Sequence, residues 1–272
     1  NKMFKTRLIS GITLVILALV LIITGGNVLL FSTAILSLIG MFELYRVLDI
    51  HKSIIGYIGY AMTIFYYANL KFHMIKDPFI YNIFFLIVLL ICYVLSYPKY
   101  DSTKVFGAFF GFFYVSAMLS FIYQTREIPV KGKYFVWLIF LCAWGADTCA
   151  YCVGKLFGKH KMAPILSPKK SIEGAIGGVI GAAILNLIYG YIFRMQLDLR
   201  GMDLLIIAVI GAVGALVSMV GDLAASAVKR NFDIKDYGNL IPGHGGVLDR
   251  FDSIIITAPI VYFLSIVTIA VI

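Results

Sequence analysis

Residues 204–228, LLIIAVIGAVGALVSMVGDLAASAV, decide the fold, because Asp222 is the single charged side chain in this run of 25 residues. An α-helix rises about 1.5 Å per residue, so the segment is long enough to cross roughly 30 Å of hydrocarbon. A carboxylate inside such a helix costs about 2.5 to 3.5 kcal/mol even on a lenient insertion scale, so it needs a partner. The segment therefore predicts a transmembrane helix with a polar site toward its C-terminal end.

Similar apolar runs recur along the whole chain of 272 residues, which is 61% hydrophobic and only 14% charged. Its mean hydropathy of +0.95 lies far outside the range of soluble globular proteins. The runs are continuous rather than alternating, which is typical of helices and not of barrel strands. We predict an all-α integral membrane protein, a polytopic bundle of about nine transmembrane helices. The predicted spans are residues 8–24, 28–43, 54–70, 78–97, 105–123, 134–153, 174–193, 204–228 and 253–272.

The distribution of basic residues indicates the orientation. With the N terminus in the cytoplasm, the inside segments hold 16 of the 23 Lys and Arg residues and the outside segments hold the other 7. The net charge of +9 does not indicate a nucleic-acid partner, because no soluble basic domain accompanies it. Topology and attraction to anionic lipid head groups explain the charge instead.

The polar residues are unevenly distributed along the chain. We predict that residues 1–133 form a membrane scaffold of about five helices. Residues 134–272 are predicted to form a catalytic membrane region of about four helices with two cytoplasmic loops, within one continuous membrane domain. In the scaffold, Glu43 precedes Arg46 by three residues, and we interpret the two as an ion pair at a helix end without a catalytic role.

The loop after the span 204–228 concentrates groups that bind phosphate. Asp222, Lys229 and Arg230 fall on one helix face, with the acid deep and the bases nearer the water. The glycine-rich turn 242–246 lets backbone amides approach an anion. It leads to the segment 249–252, which begins and ends with an aspartate, and both carboxylates are expected to lie near Asp222. A structural Asp–Lys pair between two helices is the alternative explanation for Asp222.

Carboxylates without neighbouring Cys or His pairs favour Mg²⁺ over zinc. The surrounding cations suit a polyphosphate; they are Lys169, Lys170, Lys229, Arg230, Lys235 and Arg250. Together they indicate phosphoryl or nucleotidyl transfer, in which an anionic phosphate nucleophile needs charge neutralisation more than a general base. His244 could transfer a proton, but we favour a role in binding phosphate or fixing the loop.

A second phosphate seat is predicted at residues 167–171, Ser-Pro-Lys-Lys-Ser, a constrained turn that precedes a helix N-terminus. The alternative is a positively charged membrane anchor. The following glycines form small-xxx-small pairs and are expected to allow close helix packing. They are Gly174, Gly177, Gly178 and Gly181.

Residues 226–252 resemble, without a gap, the signature of the phosphatidate cytidylyltransferases, also called CDP-diacylglycerol synthases. Residues 147–174, with their Ser-Pro-Lys-Lys-Ser-x-Glu-Gly core, are similar to the family's second characteristic block. The resemblance implies CTP and phosphatidate as substrates, Mg²⁺ as cofactor with a second, monovalent cation left open, and a homodimer in the bacterial inner membrane. The orientation inferred from the basic residues puts the expected active site on the cytoplasmic side.

The resemblance assigns roles to individual residues. Asp222 and Asp249 match the family's metal-binding aspartates, and Asp147 matches an acidic position that is a further candidate ligand. Ser171 stands where many members have Thr, which keeps the hydroxyl. The candidate catalytic residues are Lys229, Asp252, His244 and Arg250, and the candidate substrate-binding residues are Ser167, Lys169, Lys170, Ser171, Arg230, Lys235, Gly245 and Gly246.

Two other functions remain open from the residues alone. A CTP-dependent lipid or polyprenol kinase would share lipid access and a basic triphosphate site, but it would release CDP rather than pyrophosphate. An ion-coupled transporter would use the buried acids to carry protons or cations. It would leave the loop lysines and the glycine-rich turn without a function.

Overall fold

The computed structural model describes residues 2–243 and 245–271, with the side chains of 2–8, 78 and 271 left aside. Each of the nine predicted spans coincides with a helix or a helix pair, since in hydrocarbon a backbone must satisfy its own polar groups. The helices are α1 Lys2–Thr24, α2 Gly26–Val47, α3 Ile54–Phe72, α4 Pro78–Ser96, α5 Ser102–Gly111, α6 Met118–Arg126, α7 Gly132–Phe140, α8 Ala146–Phe157, α9 Ile172–Ile192, α10 Arg194–Leu197, α11 Asp203–Asn231 and α12 Leu248–Val271.

Two π-helical turns join consecutive helices into longer spans. Phe112–Ala117 continues α5 into α6, and Leu141–Gly145 continues α7 into α8. Within the described residues, seven helical spans are long and apolar enough to cross a membrane, and α1 adds a shorter apolar stretch, Ile9–Thr24. The predicted fold class, an all-α polytopic membrane protein, is confirmed. The count of nine crossings and the cytoplasmic N terminus stay predictions.

One small hairpin interrupts the helices. Strand β1, Lys161–Ala163, pairs in antiparallel fashion with β2, Ser167–Ser171, so that Lys161 lies opposite Ser171. The prediction of a constrained turn at 167–171 is therefore wrong, because these residues form strand β2. The turn lies just before them, between β1 and β2. Pro168 is tolerated in β2 because a two-stranded hairpin leaves the outer side of each strand unpaired.

The chain forms two compact units. The first unit contains the described residues of Asn1–Ser120 and Asp236–Arg250, and the second contains those of Phe121–Lys235 and Phe251–Ile272. The segment 236–250 thus belongs with the N-terminal helices, although it follows α11 in the chain. The predicted functional division at residue 133 stays a prediction.

The first unit is packed around large aromatic side chains. Tyr45, Phe85 and Phe112 are fully buried, and the rings of the two phenylalanines meet at 4.7 Å between centroids. The Tyr45 hydroxyl donates to the Ala108 carbonyl at 2.6 Å, so its polar end is satisfied inside the core.

Small residues pack the second unit instead. A β-carbon at Gly177 would lie 2.5 Å from Val153, and one at Gly181 would lie 2.5 Å from Cys149. Because real side chains do not approach so closely, only glycine allows α8 and α9 to come together here. The predicted role of these glycines in helix packing is confirmed.

Candidate active site

The second unit brings four of the candidate site residues together. Asp252, on α12, is 9% exposed and interacts electrostatically with Asp222 and Lys229 on α11 and with Asp147 on α8. Its Oδ1 also accepts a hydrogen bond from the Ser253 amide at 2.8 Å. Three acids and one base therefore share a mostly buried site.

The half-buried acid Asp222 has a cation as its partner. Its Oδ2 forms an ion pair with Nζ of Lys170, and both side chains are about one quarter exposed, at 27% and 24%. The pair joins α11 to the hairpin strand β2 rather than to a second helix, which corrects the structural alternative given above. Lys170 and Asp222 are thus neighbours, although 51 residues separate them in the sequence.

The other candidate cations of the second unit differ in their exposure to solvent. Lys229 is half-buried, whereas Lys169, Arg230 and Lys235 are exposed. Since α11 extends to Asn231, Asp222 and the two bases that follow it lie on one continuous helix, as predicted. The arrangement can neutralise a polyphosphate that approaches from the water and meets the acids last.

The start of α9 fixes the hairpin. Ser171 caps the helix by accepting a hydrogen bond from the Gly174 amide at 3.1 Å. Glu173 Oε2 accepts from the amides of Lys159 and His160 at 3.1 and 3.2 Å, and Oε1 contacts Nδ1 of His160 at 2.6 Å. In the predicted phosphate seat, Ser167 and Ser171 are both half-buried. The Ser171 hydroxyl is used in the helix cap.

The carboxylates suit a magnesium ion by their chemistry. In the described part of the chain, no group of three or more His, Cys, Asp and Glu side chains is placed to hold a metal. Mg²⁺ commonly takes only one or two protein carboxylates and completes its shell with water and substrate phosphates. Asp222 and the acids around it therefore fit an ion that is bound together with a phosphate.

The first unit holds the glycine-rich turn. Its amide at Ile241 donates to the Gly245 carbonyl at 2.8 Å, and Gly243 and Gly245 have φ angles of +76° and +85°. Such angles are strained for any residue with a β-carbon, so glycine is required at both positions. His244, between them, lies outside the described residues.

Asp249 is tied to this turn. It is 8% exposed, and its Oδ2 accepts hydrogen bonds from the amides of Tyr237 and Gly246 at 2.8 and 2.9 Å. Asp249 and the exposed Arg250 belong to the first unit, so the expected approach of Asp249 to Asp222 stays a prediction.

Glu43 is the functional candidate that we did not expect. Its two carboxylate oxygens accept hydrogen bonds from the amides of Val247 and Leu248, each at 2.9 Å, and a guanidinium nitrogen of Arg46 donates to the Tyr237 carbonyl. Glu43 and Arg46 do interact electrostatically, but the ion-pair interpretation was incomplete, because both side chains also bind the glycine-rich segment. No side-chain pattern could indicate this, since the partners are backbone groups about 200 residues away.

The chain matches the Cytidylyltransferase family over residues 5–267. It belongs to the cytidylyltransferase family. It is 31% identical over 265 residues to a phosphatidate cytidylyltransferase of Bacillus subtilis (strain 168), covering 96% of this chain and 97% of that protein. It is 32% identical over 267 residues to a phosphatidate cytidylyltransferase of Staphylococcus aureus (strain COL), covering 96% and 99%.

Family membership confirms the resemblance seen in residues 226–252 and 147–174. In this cytidylyltransferase, those two segments supply Asp147, Lys170, Lys229 and Asp252, which the second unit brings together with Asp222. The individual roles predicted for these residues stay predictions.

Proposed function

We propose that this protein makes CDP-diacylglycerol and pyrophosphate from CTP and phosphatidate. Family membership over residues 5–267 is the observation that carries the proposal, and the relatives bear the name of this activity. A lipid substrate agrees with seven apolar helical spans among the described residues. In the reaction, a phosphate oxygen of phosphatidate forms a bond to the α-phosphorus of CTP, and the bond from that phosphorus to the β-phosphate bridging oxygen breaks.

Positive charge is the main requirement of this step. The phosphate nucleophile is already anionic, so the barrier lies in bringing it to a triphosphate and in stabilising the leaving pyrophosphate. We assign the neutralisation of the reacting phosphates to Lys170 and Lys229, which are half-buried and interact with the acids. The exposed Lys169, Arg230 and Lys235 attract the triphosphate from the water.

A magnesium ion is part of the proposal. When bound, Mg²⁺ neutralises the triphosphate and orients it for displacement. Asp222 is the proposed ligand in the second unit, with Asp147 as a further candidate. Asp249 is proposed from the sequence signature. In the present structure, the Lys170 ammonium supplies the positive charge that Asp222 needs.

The membrane location extends the proposal. We place the protein in the bacterial inner membrane with its site toward the cytoplasm, because 16 of the 23 basic residues then lie on the inside. A homodimer and a second, monovalent cation rest on the family resemblance alone. The mass of the protein in detergent, measured by light scattering with the detergent subtracted, tests the dimer.

The reaction is tested by incubating purified protein with phosphatidate, labelled CTP and Mg²⁺, and by measuring CDP-lipid and pyrophosphate together. Equal amounts of both products support the proposal. CDP without CDP-lipid would indicate a lipid kinase, and an absence of nucleotide turnover by folded protein would favour a transporter.

Asp222→Asn should abolish both products. Asp203→Asn is the matched control, since Asp203 lies at the other end of α11, where it accepts a hydrogen bond from the Arg200 amide. This control should leave the activity unchanged.

A further inference from the structure

The carboxylate of Glu43 is buried in the first unit, with 4% of the residue exposed, and it caps a helix to which it does not belong. It extends from α2 to the amides of Val247 and Leu248, at the start of α12. Amides in the first turn of a helix have no partner within the helix, and a negative charge there interacts favourably with the helix dipole. Glu43 thus fixes where α12 begins.

Two glycines of the loop make room for this carboxylate. A β-carbon at Gly246 would lie 2.5 Å from Cδ of Glu43, and one at Gly238 would lie 2.9 Å from the same atom. Neither of these glycines has a positive φ, unlike Gly243 and Gly245. Gly238 and Gly246 are therefore required by contact with Glu43, whereas the other two are required by the turn itself.

Two further charged side chains complete the hold on the loop. Arg46, one turn after Glu43 on α2, binds the Tyr237 carbonyl, and Asp249 binds the amides of Tyr237 and Gly246. Glu43 also interacts electrostatically with Arg46 and Asp249. Charged side chains thus bind the backbone both before the glycine-rich turn, at Tyr237, and at its end, at residues 246–248.

We propose that Glu43 is a positioning residue of the cytidylyl transfer. It sets the conformation of residues 237–243 and 245–248, so that the turn amides and the residues that follow them meet the triphosphate of CTP. The inference rests on the proposed function, because the turn carries the candidate substrate-binding residues Gly245 and Gly246. We call Glu43 a positioning residue because each of its carboxylate oxygens accepts a hydrogen bond from a backbone amide of the loop.

Glu43→Gln tests the carboxylate with little change in shape. The glutamine side chain presents its NH₂ group, a donor, to one of the two backbone N–H groups, so that one of the two capping hydrogen bonds is lost. We expect the KM for CTP to rise at least tenfold and the KM for phosphatidate to change less than twofold. Hydrogen–deuterium exchange should accelerate within residues 237–248 alone.

Asp101→Asn is the matched control, because Asp101 also caps a helix of the first unit, through the Lys104 amide at 2.8 Å. It should accelerate exchange at the start of α5 without changing either KM. Faster exchange in 237–248 of the Glu43→Gln protein with unchanged kinetics would show that Glu43 is only a structural cap, and the inference would be wrong.

A pair of double variants tests the contact directly and does not depend on the stability of Glu43→Gln. Gly238→Ala should lower kcat/KM for CTP at least tenfold, because its methyl group meets the Glu43 carboxylate. Glu43→Asp removes one methylene group and makes room, so the double variant should regain at least threefold. The same Glu43→Asp change should not rescue Gly245→Ala, whose defect is the positive φ.

Rescue of both glycine variants, or of neither, would overturn the inference. Product formation by the wild-type protein is measured first. If the wild-type protein makes no CDP-lipid, the proposed function fails and the inference fails with it. If it makes CDP-lipid and the rescue pattern is absent, the inference fails alone.

Discussion

Acidic side chains occur in both units of the molecule, but they are held by different partners. In the second unit, Asp222 pairs with the Lys170 ammonium. Asp252 interacts with the Lys229 ammonium and with two other acids, and its Oδ1 accepts a hydrogen bond from the amide of the adjacent Ser253. In the first unit, Glu43 and Asp249 accept hydrogen bonds from four backbone amides. A side-chain cation can move and be replaced by a metal ion or can turn to a phosphate, whereas a backbone amide is fixed. The comparison therefore assigns chemistry to the acids of the second unit and loop architecture to Glu43. Asp249 holds the loop as well, in addition to the metal-binding role proposed from the sequence signature.

The largest effect should follow from removing a charge that is held by side chains. We expect Asp222→Asn and Asp252→Asn each to lower CDP-lipid formation about 1,000-fold, since preorganised charges contribute most to this kind of transfer. The thermal midpoint in detergent should change by less than about 3 °C in either case. If either variant keeps a tenth of the wild-type rate, the aspartate that it replaces is not part of the active site.

Replacing an acid by its amide should change the free energy of unfolding in opposite directions in the two units. Asp252 is buried near two other acids, so Asp252→Asn relieves repulsion and should stabilise the protein by about 1 kcal/mol. Asp249→Asn weakens an acceptor of two buried amides and should destabilise it by about 1 to 2 kcal/mol. Reversible unfolding in denaturant measures both, and shifts of the same sign would contradict the distinction.

The helices could be predicted from the sequence, and the hairpin could not. Apolar runs such as 204–228 correspond to helices because a bilayer fixes the length and forbids unpaired backbone groups. Strands of three and five residues, one of which contains Pro168, are too short to produce a hydrophobic period. As a result, Lys170 and Asp222 were both candidates from the sequence, but their pairing required the hairpin to be known.

Candidate residues in the site were recognised where they carry an unusual side chain at an unusual depth, as Asp222 does. Glu43 has the same character, yet the nearby Arg46 offered a sufficient local explanation. Its true partners are amides, which every residue except proline possesses. A residue that acts by binding backbone amides therefore leaves no spacing signal in the sequence. Its presence is reflected in Gly238 and Gly246, two glycines whose φ angles do not require glycine.

Lys170 should have an intermediate effect, because it can serve both an acid and a phosphate. We expect Lys170→Gln to lower kcat about tenfold, which corresponds to about 1.4 kcal/mol of lost charge stabilisation. The variant should also need less Mg²⁺ for half-maximal rate, since no ammonium competes for Asp222. Lys170→Arg is the control that keeps the charge. An unchanged magnesium requirement in Lys170→Gln would show that the ion does not use Asp222.

The smallest effect on activity is expected for Glu173, an acid of the second unit that is bound by backbone amides as the acids of the first unit are. Glu173 belongs to the second unit, but it accepts hydrogen bonds from the backbone amides of Lys159 and His160 and contacts the exposed His160 ring. If the kind of partner decides the role, Glu173 is architectural despite its location, and the segment it holds carries no proposed substrate group. Glu173→Gln should therefore change CDP-lipid formation less than about threefold, because the glutamine side chain keeps one oxygen that can accept a hydrogen bond from a backbone amide. Hydrogen–deuterium exchange should still accelerate at residues 158–161. A loss of activity comparable to that of Asp222→Asn would mean that location in the second unit, and not the kind of partner, makes an acid essential.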